Sequence, residues 1–436
     1  MAETLNIDPR RMDESEWLPA VKKFVAAAEQ VGDVVSLQSR TEYLTPEAAG
    51  QHLGMSRSTV LRAIEAGGLK AIKVGNRHRI PVREVERFND QLVGDTNEAT
   101  RAELEAELPG TTTFAALTTL HLGGPIRNLV TAASVDELIG AARDAEAMIV
   151  GGGSNLLVSD EGFDGTVVLV RTRGVDVDGD LVTVAAGENW DGFVATMLEA
   201  GRGQLAALSG IPGSVGATPI QNVGAYGADV SQFIGHVTAY DRSQGRLHEI
   251  PAADCGFGYR TSVFKLSRRF VVVSVTFRLP VCQTVPVTYP QLADALGLQV
   301  GQEAAADEVR ETVLQLRRSK GMVLDDGDHD TWSAGSFFIN PVLPEVPAAA
   351  GDCQSWPDPA GRKLSAAWLI EKAGFGRGYT VPGGTGQAAL SGKHTLAITN
   401  RGAATTADVL ELAATIRDGV REKFGVTLEP EPLLVV

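Results

Sequence analysis

A chain of 436 residues, 44% hydrophobic and 21% charged, is too long for one ordinary core and too rich in apolar residues to be disordered, so several globular domains are expected. The net charge of −15 excludes nucleic-acid binding by the surface as a whole. The three cysteines, Cys255, Cys282 and Cys353, are too few and too far apart for a disulfide framework and read as reduced thiols, and seven histidines without ligand spacing argue against a metal site. No apolar run is long enough to span a bilayer, and the first residues lack a basic segment leading into an apolar one, so a cytoplasmic location without membrane contact is expected.

In chain order, residues 1–38 form an N-terminal extension with one amphipathic stretch, residues 17–31, where Trp17, Val21, Phe24 and Val25 share a face. Residues 39–92 read as a compact unit that is locally basic. Between positions 40 and 90, nine Lys/Arg face six Asp/Glu, which leaves −18 for the rest of the chain. Thr45-Pro46-Glu47 predicts an N-cap with proline at the first helical position. That helix ends near Leu53, before Gly54. Ser56 caps a second helix, residues 57–66, stopped by Gly67-Gly68. Two β runs, residues 70–74 and 77–80, flank Gly75-Asn76, a hairpin signal, and a last helix begins near Val82.

Helix, tight turn, helix and hairpin is the order of a winged helix-turn-helix. Tyr43-Leu-Thr-Pro-Glu-Ala-Ala, Gly54-Met-Ser-Arg-Ser-Thr-Val-Leu-Arg62 and Gly75-Asn-Arg-His-Arg-Ile-Pro81 resemble the excisionase/MerR-like DNA-binding family. The resemblance implies that Ser56, Arg57 and Arg62 reach base edges and phosphates, while Lys73, Arg77 and Arg79 sit on the backbone as a wing. A solvated charged surface used for protein contact is the alternative, because fold does not fix function.

Residues 93–107 are polar and rich in Glu and Ala, a linker. From about Leu108, helical patterns alternate with short strands and glycine-rich turns, the text of an α+β body. Its first chemical signal is Ile149-Val-Gly-Gly-Gly-Ser-Asn-Leu-Leu-Val158, an apolar strand running into Gly151, Gly152, Gly153, Ser154 and Asn155. Glycines let the backbone approach a phosphate, and successive N–H groups form an anion-binding concavity. The segment lacks the spacing and following acid of the dinucleotide fingerprint. A second donor-rich loop carries Gly210, Gly213, Ser214 and Gly216, followed by Gln221-Asn222-Val-Gly-Ala-Tyr-Gly227. Two such loops suit a ligand with a pyrophosphate and a planar ring. Residues 342–362, rich in Pro and Ala, read as a surface loop.

Five motifs, in order, resemble the UDP-N-acetylenolpyruvoylglucosamine reductase (MurB) family, tyrosine-loop subtype: Gly151-Gly-Gly-Ser-Asn155, Gly210-Ile-Pro-Gly-Ser-Val-Gly216, Gly258-Tyr-Arg-Thr-Ser-Val-Phe-Lys265, Ala334-Gly-Ser-Phe-Phe-Ile-Asn-Pro341 and Leu428-Glu-Pro-Glu431. The resemblance covers residues 108–436. It implies a two-part, non-covalent FAD-binding fold of the vanillyl-alcohol-oxidase (VAO/PCMH) type plus an α+β substrate-binding domain, with NADPH as co-substrate. On this division residues 108–175 form FAD-binding subdomain 1, completed by 418–436. Residues 176–321 form subdomain 2 and 322–417 the substrate domain, in a monomeric body. The glycine loops, with Ser154, Asn155, Ser214 and Asn222, are then the cofactor contacts.

The reaction so implied delivers hydride to an enolpyruvyl double bond and builds charge on the neighbouring carboxylate, which calls for a positioned cation. By its motif that cation is Arg260, a guanidinium able to grip a carboxylate bidentately. Ser336 matches the family's proton donor, although a serine serves as an acid only with help from its neighbours. Glu431 matches the family's active-site glutamate. Alternation alone does not separate it from Glu429, since residues i and i+2 of a strand share a face. Pro432 departs from the valine common in the family. Tyr226, Tyr289, Arg317, Lys320 and Asn340 match substrate-contacting positions, with a solvated helix end as the alternative for Arg317. Two other readings remain open: a transcription regulator that senses nucleotide-sugar or flavin with a retired reductase body, and a flavin oxidase of the same fold with another substrate.

Overall fold

The computed structural model describes residues 22, 43–46, 48–49, 60–61, 64, 69–74, 77–85 and 87–88, and residues 113–436 apart from 266. The chain divides into two compact units, Met1–Thr96 and Asn97–Val436.

In the first unit, β1 (Tyr43–Leu44), β2 (Ile72–Val74) and β3 (Arg77–Pro81) form an antiparallel sheet in the order β1-β3-β2. Thr45 caps the first helix as expected: Ala48 N donates to its Oγ1 at 3.2 Å and Ala49 N to its carbonyl at 2.8 Å. Helical residues recur at 60, 61 and 64 and at 82–85. Ala49, Val60, Leu69, Ile80 and Val85 bury themselves against one another, so each expected helix and the hairpin contribute to one small core. Ser56, Arg57, Arg62, the linker and the 17–31 stretch apart from residue 22 lie outside the described residues.

The second unit begins with a parallel sheet. β4 (Ile126–Ala132) and β5 (Met148–Val150) flank β7 (Phe163–Val170), and a short helix, α1 (Val135–Ala142), crosses from β4 to β5 behind a Ser134–Glu137 capping box. The unbroken apolar run Val167-Val-Leu-Val170 is buried, as expected of a central parallel strand. β6 (Leu156–Val158) instead pairs in parallel with the last strand, β22 (Leu433–Val435), which brings the C-terminal segment beside the triple glycine. A second, antiparallel sheet follows in the order β13-β12-β14-β9-β8: β8 (Val175–Asp178), β9 (Leu181–Ala185), β12 (Ile234–Asp241), β13 (Arg246–Pro251) and β14 (Phe270–Arg278). Between β9 and β12 lie α2 (Trp190–Glu199) and a tight hairpin, β10 (Gly224–Ala225) and β11 (Ala228–Asp229).

Val168 and Val170 of the first sheet pack with Val184, Val237, Val275 and Phe277 of the second and with Trp190, so the two lobes share one core. Trp190 is fully buried; its Nε1 donates to Leu208 O at 3.0 Å and its backbone N to Gly213 O at 3.0 Å. The backbone thereby anchors the second glycine loop and the ring the segment leading into it, and truncating the side chain to alanine costs about 3–5 kcal/mol.

β15 (Thr284–Pro286) and β16 (Glu303–Ala305) pair beside α3 (Pro290–Leu296) and α4 (Ala306–Ser319) around a smaller core. The remaining core gathers β20 (Ala388–Leu390), β21 (Ile398–Asn400), α5 (Ala366–Ala373) and α6 (Thr406–Phe424). Two expectations are corrected here. Residues 342–362 are not a plain surface loop: β17 (Val342–Leu343), β18 (Ser355–Asp358) and β19 (Gly361–Leu364) form an antiparallel sheet, and Ala350 and Cys353 are buried, because small apolar side chains between the prolines still reach the core. The division at 417/418 falls inside α6, whose Val409, Leu412, Ile416, Val420 and Phe424 enter one core, so no boundary forms before Gly425. All three cysteines are free thiols.

Candidate active site

The two glycine loops meet backbone to backbone. A Cβ on Gly152 would lie 2.5 Å from Gly213 Cα, one on Gly151 would lie 2.3 Å from Ser214 Oγ, and one on Gly153 would strike Leu117 O at 1.8 Å. Gly153 (φ 61°) and Gly213 (φ 115°) also occupy backbone conformations that L side chains resist. Among the described residues no protein acceptor takes the N–H groups of Gly152, Gly153 or Ser154. A row of free amides held where no side chain fits suits a pyrophosphate, so the fold fits the flavin nucleotide that the sequence implies. The loops border a cavity of about 650 Å³. Gly151, Gly152, Gly153, Ser154, Asn155 and Ser214 line it. Gly210, Gly213, Gly216 and Asn222 lie beside these lining residues. Gly216 packs where a Cβ would lie 2.5 Å from Ala186 Cβ, Gly210 where one would lie 2.8 Å from Leu314 Cδ2, and Asn222 is buried with Nδ2 on Gly258 O (3.0 Å) and Oδ1 receiving Ser231 N (3.0 Å).

Arg260, Ser336 and Glu431, far apart in sequence, line this one cavity. Arg260 Nε lies 3.2 Å from Glu431 Oε1, Nη2 donates to Gly224 O at 2.8 Å and Nη1 to Asn222 O at 3.5 Å. Lys265 Nζ donates to Arg260 O at 2.8 Å, fixing a backbone that sits at φ 54°. Tyr226 (φ 50°), which also lines the cavity, and Asn222 (φ 49°), buried beside it, are similarly left-handed, and strain of about 1–3 kcal/mol at each is held by the surrounding contacts. Burial pushes the Glu431 carboxyl above the ordinary carboxylate range, against the opposing pull of Arg260 and Lys265.

Segments 337–339 and 429–431 run side by side: Ile339 N donates to Glu429 O at 3.1 Å and Glu431 N to Phe337 O at 2.8 Å. This pairing brings Ser336, which follows Gly335 (φ 72°), and Glu431 to the lining of one cavity. It also separates the two glutamates. Glu429 is exposed while Glu431 faces Arg260, because only an isolated bridge, Phe338 with Pro430, forms here and no regular strand keeps both on one face. Asn155 Nδ2 donates to Glu431 O (3.2 Å) and to Gln221 Oε1 (2.8 Å), and Leu433 N to Asn155 O (2.9 Å), so the first glycine loop holds the glutamate in place even with Pro432 next to it.

At the far end Tyr226, on the tip of the β10–β11 hairpin, meets Tyr289 edge to face at 5.7 Å between centroids, and Lys320 Nζ lies 5.5 Å from the Tyr226 ring. Lys320 also donates to Gln291 Oε1 at 2.7 Å, and burial, with Arg317 adding, lowers its affinity for the proton. Arg317 is no solvated helix end: only 9% exposed, it donates from Nε to Gly210 O (3.1 Å) and from Nη2 to Met322 O (2.9 Å). It thus braces the second glycine loop. Asn340 lines the cavity while its Oδ1 caps Ala366 N at 2.9 Å. Sequence reasoning missed Lys363, 4.4 Å from the Tyr259 ring, and His394, whose imidazole burial drives down to about 4 with help from Lys320 and Arg377. Neither lies in a motif with its own chemistry, so only the fold reveals them. In the N-terminal unit Lys73 is exposed on β2 and Arg79 is half-buried on β3, which also carries Arg77.

Residues 327–435 match the model of the UDP-N-acetylenolpyruvoylglucosamine reductase C-terminal domain, residues 126–250 that of an FAD-binding domain, and residues 43–91 that of a helix-turn-helix domain. A crystal structure of UDP-N-acetylenolpyruvylglucosamine reductase (MurB) from Thermus caldophilus superposes with a TM-score of 0.54 at 27% identity, covering 75% of this chain and 98% of that one, and this chain has the expected FAD-binding fold of the PCMH type. The UDP-N-acetylenolpyruvoylglucosamine reductase of Saccharopolyspora erythraea is 51% identical over 350 residues, 75% of this chain and 95% of its own length. That of Nocardia farcinica is 50% identical over 339 residues, 74% of this chain and 88% of its own length. At that identity over three quarters of its length, the chain belongs to the UDP-N-acetylenolpyruvoylglucosamine reductase family.

Proposed function

We propose that the cavity beside the glycine loops is where UDP-N-acetylenolpyruvoylglucosamine is reduced, with Arg260, Ser336 and Glu431 as its catalytic groups. The activity itself comes with the family: the protein is a flavoenzyme of peptidoglycan precursor synthesis that uses FAD and NADPH. The observation that supports the assignment is that a guanidinium, a hydroxyl and a carboxyl group far apart in the sequence line one cavity.

Gly151, Gly152, Gly153, Ser154, Asn155 and Ser214 would hold the FAD, and Gly210, Gly213 and Gly216 would let the second loop close on it. Bound FAD would supply the hydride chemistry that links NADPH to the enolpyruvyl double bond. Arg260 orients the substrate carboxylate and stabilises the charge that develops on it. Ser336 gives a proton to the adjacent carbon. Glu431, whose carboxyl burial pushes upward against the pull of Arg260 and Lys265, sits against Arg260 and holds its guanidinium in place. Tyr226, Tyr289 and Lys320 receive the UDP diphosphate, with Asn340 on the sugar side, while Arg317 positions the loop from behind.

The test is a flavin titration. The purified protein should be yellow, lose colour with NADPH and regain it with the enolpyruvyl substrate. A retired body acting as a sensor would bind the substrate without recolouring, and a flavin oxidase with another substrate would ignore it. The body is proposed to act as a monomer in the cytoplasm, and no helix of the described residues is long and apolar enough to cross a membrane. The N-terminal module is proposed to bind DNA, with Ser56, Arg57 and Arg62 at the bases and Lys73, Arg77 and Arg79 on the phosphates. Retardation of duplex DNA by the full chain should weaken steeply with salt. Absence of retardation at low salt would assign the module to protein contact.

A further inference from the structure

Arg260 faces a second carboxylate that the reaction does not require. Asp229 Oδ1 lies 3.7 Å from Arg260 Nη1, on the cavity wall. Asp229 occupies the N-cap position of the short 3-10 turn Val230–Gln232 yet makes no capping hydrogen bond. Its side chain instead folds back across the hairpin, with Oδ1 lying 1.8 Å from where a Cβ of Gly224 would stand, so the paired residue must be glycine for the carboxylate to lie there. Asp229 is not what holds the guanidinium in place: Gly224 O, Asn222 O and Glu431 already do so. Its side chain is 48% exposed against 15% for Glu431, so of the two carboxylates it is the one that solvent can receive.

Three carboxylates cannot share one guanidinium without one leaving or taking a proton. We propose that Asp229 is an intramolecular competitor of the substrate carboxylate for Arg260, displaced to solvent when the enolpyruvyl group binds. The proposal rests on the reading of Arg260 as the carboxylate clamp. Asp229 also closes the hairpin whose tip carries Tyr226, so its release accompanies the arrival of a ligand that spans the cavity from Arg260 to Lys320. The device discriminates: a nucleotide sugar without a carboxylate leaves the Asp229–Arg260 pair intact, whereas the substrate exchanges one carboxylate for another.

The experiment uses Asp229→Asn holoenzyme, which keeps shape and loses charge. Dissociation constants for oxidised enzyme are read from the flavin spectrum with two probes: the enolpyruvyl substrate, and UDP-N-acetylglucosamine, which has the diphosphate and sugar but no carboxylate. A half-exposed pair at this distance competes weakly, so substrate affinity should rise about threefold to fivefold while affinity for UDP-N-acetylglucosamine stays the same. Steady-state kinetics should show the gain in KM and not in kcat. Substrate affinity that rises less than twofold, stays level or falls overturns the proposal, and so does an equal gain for both probes, which would mark a general charge effect. Arg260→Gln in the same titration separates the two levels. If it binds the enolpyruvyl substrate as tightly as the native enzyme, the clamp reading itself is wrong. If it binds weakly while Asp229→Asn is unchanged, the competitor alone is wrong. A colourless Asp229→Asn preparation is replaced by Asp229→Glu, whose longer carboxylate should lower substrate affinity and leave UDP-N-acetylglucosamine unaffected; no loss overturns the proposal.

Discussion

The two ends of the cavity treat charge in opposite ways. Around Arg260 a single guanidinium is balanced by Glu431 at 3.2 Å and Asp229 at 3.7 Å. Around Lys320 the ammonium has a neutral amide and an aromatic face as partners, with the buried Arg317 behind it. A neutralised end suits charge that appears only during reaction, while a cationic end suits charge that the ligand carries permanently. The contrast separates groups that accelerate chemistry from groups that hold substrate, because only interactions that strengthen in the transition state raise kcat.

The largest effect should come from the reacting end. Ser336→Ala should still be bleached by NADPH at nearly the native rate, while recolouring by the enolpyruvyl substrate slows on the order of 10²–10⁴-fold, the usual contribution of a positioned acid. Stopped-flow absorbance of the two half-reactions measures both. Normal recolouring would remove Ser336 from the chemistry and leave Glu431 as the acid at the Arg260 end. Next in size is Arg260→Lys, which keeps a charge but loses the planar fork and the contacts to Gly224 O and Asn222 O. It should reduce kcat about 10²–10³-fold, as the loss of a transition-state donor does. If KM rises instead and kcat holds, the two ends of the cavity do not differ as argued.

At the other end Lys320→Met should raise KM about tenfold with kcat little changed, the signature of lost ground-state binding to a charged group. The UDP-N-acetylglucosamine dissociation constant should rise by the same factor, since that probe carries the same diphosphate. A fall in kcat with KM unchanged would move Lys320 into the chemistry and erase the comparison.

How much of this was legible in the sequence depended on whether a residue's role is local or spatial. Thr45 as a cap, the strand into Gly151 and the choice of Arg260 as the cation follow from motifs, because cap chemistry, glycine freedom and a guanidinium's grip on a carboxylate are properties of residue types. The choice between Glu429 and Glu431 was beyond strand periodicity, since the segment forms one bridge at Pro430 and bends at residues 431–432. Gly210, Gly213, Gly216 and Asn222 read as contacts because their composition matches a phosphate loop, and the fold adds the close packing that gives that loop its shape. Lys363, His394 and Asp229 were invisible for the opposite reason: each is an ordinary residue made relevant by a strand or hairpin that brings it to the cavity. The strained backbone at Arg260 and Tyr226 has no sequence signature at all, as neither is Gly, Asn or Asp.

The smallest effect concerns the proton on Glu431. Burial raises its carboxyl in the folded protein above the ordinary value of 4.5, the value that the unfolded chain retains. Between those two values the native state binds more protons than the unfolded one, so this group's contribution to stability is fully present below the unfolded value and is lost as pH rises through the folded one. Glu431→Gln removes the titration and leaves Arg260 with Gly224 O and Asn222 O as partners. Losing the ion pair destabilises the variant by an amount set mainly by geometry, whereas the proton-linked loss disappears from the variant alone. The difference in Tm between variant and native enzyme should therefore move in the variant's favour by on the order of 1–2 °C between pH 4 and pH 8, measured by differential scanning calorimetry with FAD saturating. A gap that widens in the native enzyme's favour as pH rises would mean that Arg260 outweighs burial and that Glu431 is fully ionised. The reacting end would then carry a net negative charge with Asp229 in place, and the neutral surroundings that set it apart from the Lys320 end would be lost.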